Sequence, residues 1–209
     1  MYKFLIITVV ILFFFRSAID SNLMAAILTI IFSQVFWFEQ QKSRLKTEQK
    51  ALLNAILAEL KAIDNMVRKR EEGYHEAKEY IDSLEVPLLI PYLPASNNYF
   101  IVYDENVNNL GVINDEKLIS DIILTYSEMK GFFDNLKDYQ IIWTSADNNI
   151  FKLKYEYNLS PEDFATQYVD IVTRTNDYAN TLATEFLPEL KIRLSNTIKL
   201  IEKQYSEIK

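Results

Sequence analysis

ALLNAILAELKAIDNMV, residues 51–67, decides the fold class. Leu53, Ile56, Leu60, Ile63 and Val67 recur at spacings of three and four, the period that places them on one face of a helix. Outward from this stripe, residues 39–85 contain no Pro and only Gly73, and are rich in Gln, Lys, Ala, Leu and Glu, which form helices well. The charged run Arg68-Lys69-Arg70-Glu71-Glu72-Gly73 interrupts the apolar face, which Tyr74, Ala77, Tyr80, Ile81 and Leu84 then resume.

The whole chain repeats this economy. Its 209 residues include three Gly and five Pro, too few for the turns of an all-β fold or the phosphate loops of a dinucleotide fold. A mainly all-α chain is expected. With no Cys there is no disulfide, thiolate nucleophile or Cys-based metal site. Net charge is −7, and residues 39–209 carry 20 basic and 28 acidic side chains, or −8, which disfavours nucleic acid as a partner.

Upstream, Phe4 to Phe15 is apolar apart from Thr8, Arg16 to Asn22 is a polar break, and Leu23 to Phe38 is apolar apart from Thr29, Ser33 and Gln34. Two apolar blocks around a short polar hinge predict a transmembrane helical hairpin over residues 1–38, with helices at about 2–19 and 22–38. Arg16 and Asp20, four apart, form the hinge pair. A cleaved signal peptide is the alternative use of the first block. Lys42, Arg44, Lys46 and Lys50 follow the second block and place both termini in the cytoplasm. These four and Trp37 are the candidate membrane-surface contacts, with setting of topology as the bland role of the basic residues. Ser33 and Gln34 suit helix–helix contact and self-association.

Residues 39–209 are expected to form an acidic cytoplasmic helical domain. Val86-Pro87-Leu88-Leu89-Ile90-Pro91-Tyr92-Leu93-Pro94 cannot be helical throughout and reads as an apolar extended crossing. Tyr99 to Tyr103 suits a strand or a short helix equally. Asn106 to Gly111 reads as a break. Asn114-Asp115-Glu116 offers a cap for a helix carrying Leu118, Ile122, Tyr126 and Met129 to about Tyr139, followed by a loop at about 144–149 and an alternating Lys152 to Tyr157 that suits a short strand or an extended segment. Ser160-Pro161-Glu162-Asp163 has the cap, the first-turn Pro and the acids of a helix start. The helix it opens carries Phe164, Tyr168, Ile171, Tyr178 and Leu182, is kinked or restarted by Pro188, and ends in a stripe of Leu194, Ile198, Ile201, Tyr205 and Ile208. That last stripe matches the one at 53–67, so the two helices are expected to pack antiparallel in an elongated bundle, with a coiled coil between protomers as the competing use.

No chemistry emerges. His75 is the single His and reads as a surface residue. Asp104, Glu105, Asp115, Glu116 and Asp121 lack the ligand spacing of a calcium loop, and Ser145 with Asp147 has no general base. No catalytic residue, metal or cofactor is expected. The thirteen Tyr and thirteen Phe are core and interface material, with an aromatic groove for a peptide as their alternative use.

The stretch from Tyr103 to Ile113 and the Leu118, Ile122, Tyr126 helix after it resemble a pattern of uncharacterised small bacterial and prophage membrane proteins with an N-terminal anchor and a long helix. That resemblance implies the layout and assigns no residue a role. The expected function is a non-enzymatic interaction or scaffold module of a bacterial inner membrane, whose partners are the lipid bilayer and a second copy or another protein. The alternative is a two-span effector that forms pores or disrupts the membrane in phage defence or superinfection exclusion.

Overall fold

A computed structural model describes residues 21–84, 88–90 and 99–208. Among these the regular structure is helical and no strand occurs, so the all-α reading holds. The elements are α1 (Ser21–Asp82), α2 (Ile101–Asn106), a 3-10 turn (Val107–Val112), α3 (Glu116–Tyr155), α4 (Pro161–Thr181), a π-helical segment (Leu182–Phe186) and α5 (Leu187–Glu207). The chain divides into two compact units between Lys50 and Ala51. The first hairpin helix and the Arg16–Asp20 pair lie outside the described residues.

In the first unit, α1 is the one described helix long and apolar enough to cross a membrane, and none of its most apolar 18-residue window is buried. Leu23, Ile30, Phe32, Phe36, Trp37 and Phe38 all stand at least half exposed.

The second unit is built on the 53–67 stripe. Leu53, Ile56, Leu60 and Val67 are fully buried and Ile63 nearly so. They form one core with Leu118, Ile122, Tyr126, Met129, Phe132 and Phe133 of α3, Tyr103 of α2, and Leu187, Leu190, Leu194 and Ile201 of α5. The helix runs unbroken through 68–73, because Gly73 costs only about 1 kcal/mol there and Glu71 is held by Lys191 of α5 at 2.5 Å. A second α1–α5 ion pair joins Lys61 and Glu202 at 2.6 Å. Along the resumed stripe Tyr74 and Ile81 pack inward, whereas Tyr80 is 63% exposed. Between α3 and α5, Arg193 pairs with Glu128, and the buried hydroxyls of Thr125 and Thr197 meet at 2.8 Å.

Asp115 caps α3 by accepting from the Leu118 amide at 3.0 Å, and Ser160 caps α4 by accepting from Asp163 N–H at 3.1 Å with Pro161 behind it. Tyr99 to Tyr103 resolves into the start of α2, and the expected break at 106–111 is the 3-10 turn.

Two expectations are corrected. The loop at 144–149 does not form, and residues 152–155 of the expected strand or extended segment are helical, since α3 continues to Tyr155. Tyr139, Ala146 and Leu153 are buried seven residues apart, one side of the same helix, and that packing outweighs the weak helix propensity of Thr144, Asp147, Asn148 and Asn149. In α4 the buried positions are Val172, Thr175 and Ala179, each one residue on from or between the aromatic and Ile positions expected. Phe164, Tyr168, Ile171 and Tyr178 are half-buried at the edge of that face.

Pro188 restarts the helix, as expected, by way of the π-helical segment. A proline at 188 donates no bond to the Thr184 carbonyl and crowds it. The chain widens there instead, with Leu187 N–H reaching back five residues to the Leu182 carbonyl. The buried positions record the insertion: 172, 175, 179 and 182 are spaced three or four apart, a step of five leads to 187, and 190, 194, 197 and 201 resume the rhythm.

Leu194 is fully buried and Ile192, two residues away, is 64% exposed. Leu194→Ala is expected to cost about 2–5 kcal/mol and Ile192→Ala less than about 0.5 kcal/mol, read by denaturant unfolding followed by circular dichroism.

Candidate interaction site

Two polar arrangements sit beside the cores of the second unit. The first is a carboxylate on α1. Glu59 lies between the buried Ile56 and Leu60, half-exposed itself. One oxygen accepts from Val102 N–H at 2.7 Å, and the other from Tyr103 N–H at 3.1 Å and from the Tyr126 hydroxyl at 2.7 Å. Phe100, the residue at the N-cap of α2, makes no side-chain cap. Glu59 supplies it from another helix, satisfying donors that a helix start leaves open. Tyr126 is fully buried and stacked on Tyr103 at 3.9 Å. Burial pushes its phenol far above the ordinary 10.0, and the hydrogen bond to Glu59 adds to the rise. Lys130 closes the cluster, paired with Asp104 at 2.5 Å and lying over the rings of Phe100 and Tyr103.

The second arrangement holds a piece of irregular chain. Residues 88–90, bracketed in sequence by Pro87 and Pro91, are neither helix nor strand. Asn176, in the middle of α4, takes both backbone groups flanking Leu89: its Oδ1 accepts from Ile90 N–H at 2.9 Å and its Nδ2 donates to the Leu88 carbonyl at 2.8 Å. From α3, the Tyr139 hydroxyl and the Trp143 indole N–H both donate to the Ile90 carbonyl at 3.0 Å. Four hydrogen bonds thus grip three residues through their backbone. The Ile90 side chain is buried against Tyr139, Ala179 and Leu182, with Tyr74, Ile81 and Tyr178 around them. Burial raises the Tyr139 phenol above its ordinary range, which keeps it a hydrogen-bond donor. A cavity of about 60 Å³ lies at this point, lined by Ile90, Phe132, Leu136, Tyr139, Ala183 and Leu187 among others.

The residues singled out from sequence lie elsewhere. Lys42 and Arg44 are exposed, Lys46 and Lys50 half-buried, and Arg44 pairs with Glu48 at 2.7 Å. Trp37 is exposed and meets Phe38 edge-on at 5.1 Å. His75 is a surface residue of α1, as expected, with its ring against Tyr74. Asp115 serves as a cap and Asp104 as an ion-pair partner. Among the described residues no group of three or more His, Asp or Glu is placed to hold a metal.

Sequence reading missed Glu59, Tyr139, Trp143 and Asn176 as a set. The one available signal was the expected crossing at 86–94, of which 88–90 are described and the rest lies outside the described residues, since backbone groups of a non-helical segment entering the core must find partners. No family model, curated protein or solved structure matches the chain.

Two outcomes follow from this geometry. The unfolded Tyr126 phenol ionises near pH 10.0 while the folded one stays neutral, so above that pH the unfolded state binds fewer protons and stability falls as pH rises. The Tyr126 contribution should be constant below pH 10.0 and should lower the melting temperature above it, so Tyr126→Phe should make the alkaline decline shallower. Asn176→Ala should raise the hydrogen-exchange rate of the Ile90 amide by about tenfold or more while leaving the amides of α1 at 53–67 protected.

Proposed function

We propose that this chain is a membrane-anchored helical interaction module of a bacterial inner membrane, acting through binding a protein partner or a second copy of itself and not through catalysis. The observation that carries the reading is the contrast within α1. Its residues 53–67 bury an aliphatic face almost completely, whereas its earlier apolar window is not buried at all. A core helix of a water-soluble protein would cover that window with protein, and an apolar helix surface of this extent calls for lipid.

The finer layout belongs to the same proposal. Residues 2–19 and 22–38 form a hairpin with both termini in the cytoplasm, and 39–209 form the acidic domain. Lys61 with Glu202 and Glu71 with Lys191 pair in reversed order, which supports an antiparallel arrangement of α1 and α5 within an elongated bundle. At about 1.5 Å per residue, Lys42 stands roughly 6 Å and Lys50 roughly 18 Å beyond Phe38 along the helix. Attraction to anionic head groups, screened over about 10 Å, therefore falls mainly to Lys42, Arg44 and Lys46.

The absence of Cys makes the test direct. Single cysteines at Ser17, Ser43 and Ser206 are labelled with a membrane-impermeant maleimide on intact cells. Labelling at Ser17 alone is the expected result. Labelling at Ser43 and Ser206 would place the helical domain outside, and recovery of the protein in the soluble fraction would remove the anchor.

A further inference from the structure

We propose that the groove between α3 and α4 is a binding site for a non-helical, apolar, proline-flanked peptide segment of a protein partner, which the chain's own residues 88–90 occupy until it is displaced. This deepens the reading of the chain as an interaction module by naming the ligand class.

The grip is addressed to backbone, not to side chains. Asn176 reads an N–H and a carbonyl, and Tyr139 and Trp143 converge on one carbonyl. Such contacts accept any sequence that presents the same main-chain groups, as in other modes of peptide capture. Side-chain selectivity rests chiefly on one position, because Ile90 is buried while Leu89 is half-buried and Leu88 is 39% exposed.

At that position the plug is smaller than its hole. The cavity of about 60 Å³ beside Ile90 is walled by Phe132, Leu136, Tyr139, Leu182 and Leu187, and it exceeds the roughly 10–15 Å³ that one water requires. Apart from Arg70, Tyr74 and Tyr139 the lining is apolar, so a larger apolar side chain gains contacts there that Ile does not make. A partner segment with Phe at the Ile90 position keeps all four hydrogen bonds and fills the void, giving it a contact advantage over the resident segment. The resident segment is favoured only by its tether, which acts as a local concentration in the millimolar range.

Trp143 is the natural reporter, since Trp37 is the only other Trp. The experiment uses the full chain in detergent with Trp37→Phe, and two further versions carrying Ile90→Ala or Ile90→Ala with Asn176→Ala. Two peptides are titrated while Trp143 emission is followed: VPLLIPYLP, which copies residues 86–94, and the same peptide with I90F. The expected result is saturable binding to the Ile90→Ala chain, about tenfold tighter for the I90F peptide and about tenfold weaker once Asn176 is removed. Should circular dichroism show Ile90→Ala unfolded, the Trp37→Phe chain with excess I90F peptide replaces it. No saturable change up to about 1 mM peptide in a folded chain overturns the proposal, given the millimolar tether. Binding insensitive to Asn176→Ala overturns it too, as mere apolar adhesion. A Trp143 change that follows protein concentration without peptide would assign the groove to a second copy and also overturn it. Cysteine labelling of the same chain in cells scores the membrane reading separately, so failure of one leaves the other standing.

Discussion

Burial of the Leu53–Val67 face of α1 is the constraint on which the second unit rests. Five aliphatic side chains at almost no exposure meet α2, α3 and α5 together, and each such burial contributes roughly 1.5–3 kcal/mol relative to exposure. Because the face is shared, its geometry dictates where the other helices place their own apolar residues. Tyr126, Met129 and Leu194 are buried against it as completely as it is against them. Glu59, set among these aliphatic residues, gives that face a directional element. Its two oxygens fix the start of a six-residue helix that lacks a cap of its own, so a polar side chain at the rim of an apolar stripe orients α2 where apolar packing by itself would allow sliding.

The second core follows different rules. Around Ile90 the apolar surface is small, and most of the order comes from side chains reaching main-chain groups. Hydrogen bonds of this kind contribute about 1 kcal/mol each net of lost water contacts, but cost more when a buried partner is left unsatisfied. The first core is thus held by area and the second by matching of donors to acceptors.

What the sequence disclosed depended on the range over which each signal acts. The stripe at 53–67, the Ser160–Pro161 start and the Asp115 cap are local, and each was legible because spacing or cap chemistry settles it within a turn or two. The run Lys152-Leu153-Lys154-Tyr155-Glu156-Tyr157 alternates like a strand, yet only Leu153 enters the core, in phase with Ala146 and Tyr139. Alternation in so short a run is outweighed by a seven-residue phase visible only once α3 is known to continue. In α4, large aromatic residues drew attention away from Val172, Thr175 and Ala179, whose small size suits the face that approaches its neighbour closely. The clamp was illegible because its partners stand 49 to 88 residues apart in the chain. No periodicity connects Asn176 with Leu88, and only the demand that a crossing backbone be satisfied hinted that some such residue existed.

The step of five between Leu182 and Leu187 has a consequence for assembly. Without that extra residue, the nine buried positions from Val172 to Ile201 would form an unbroken three-four repeat, the signature of a helix that can zip along a like helix for its whole length. The π-helical segment resets the clock by about 100°, the angle one residue subtends on a helix. One side of α4 is thereby committed to the cluster around Ile90, and a rotated side of α5 to the Leu53–Val67 face. The interruption acts as a phase lock: a rod suited to pairing with copies of itself becomes two half-rods, each keyed to a different lock inside its own chain.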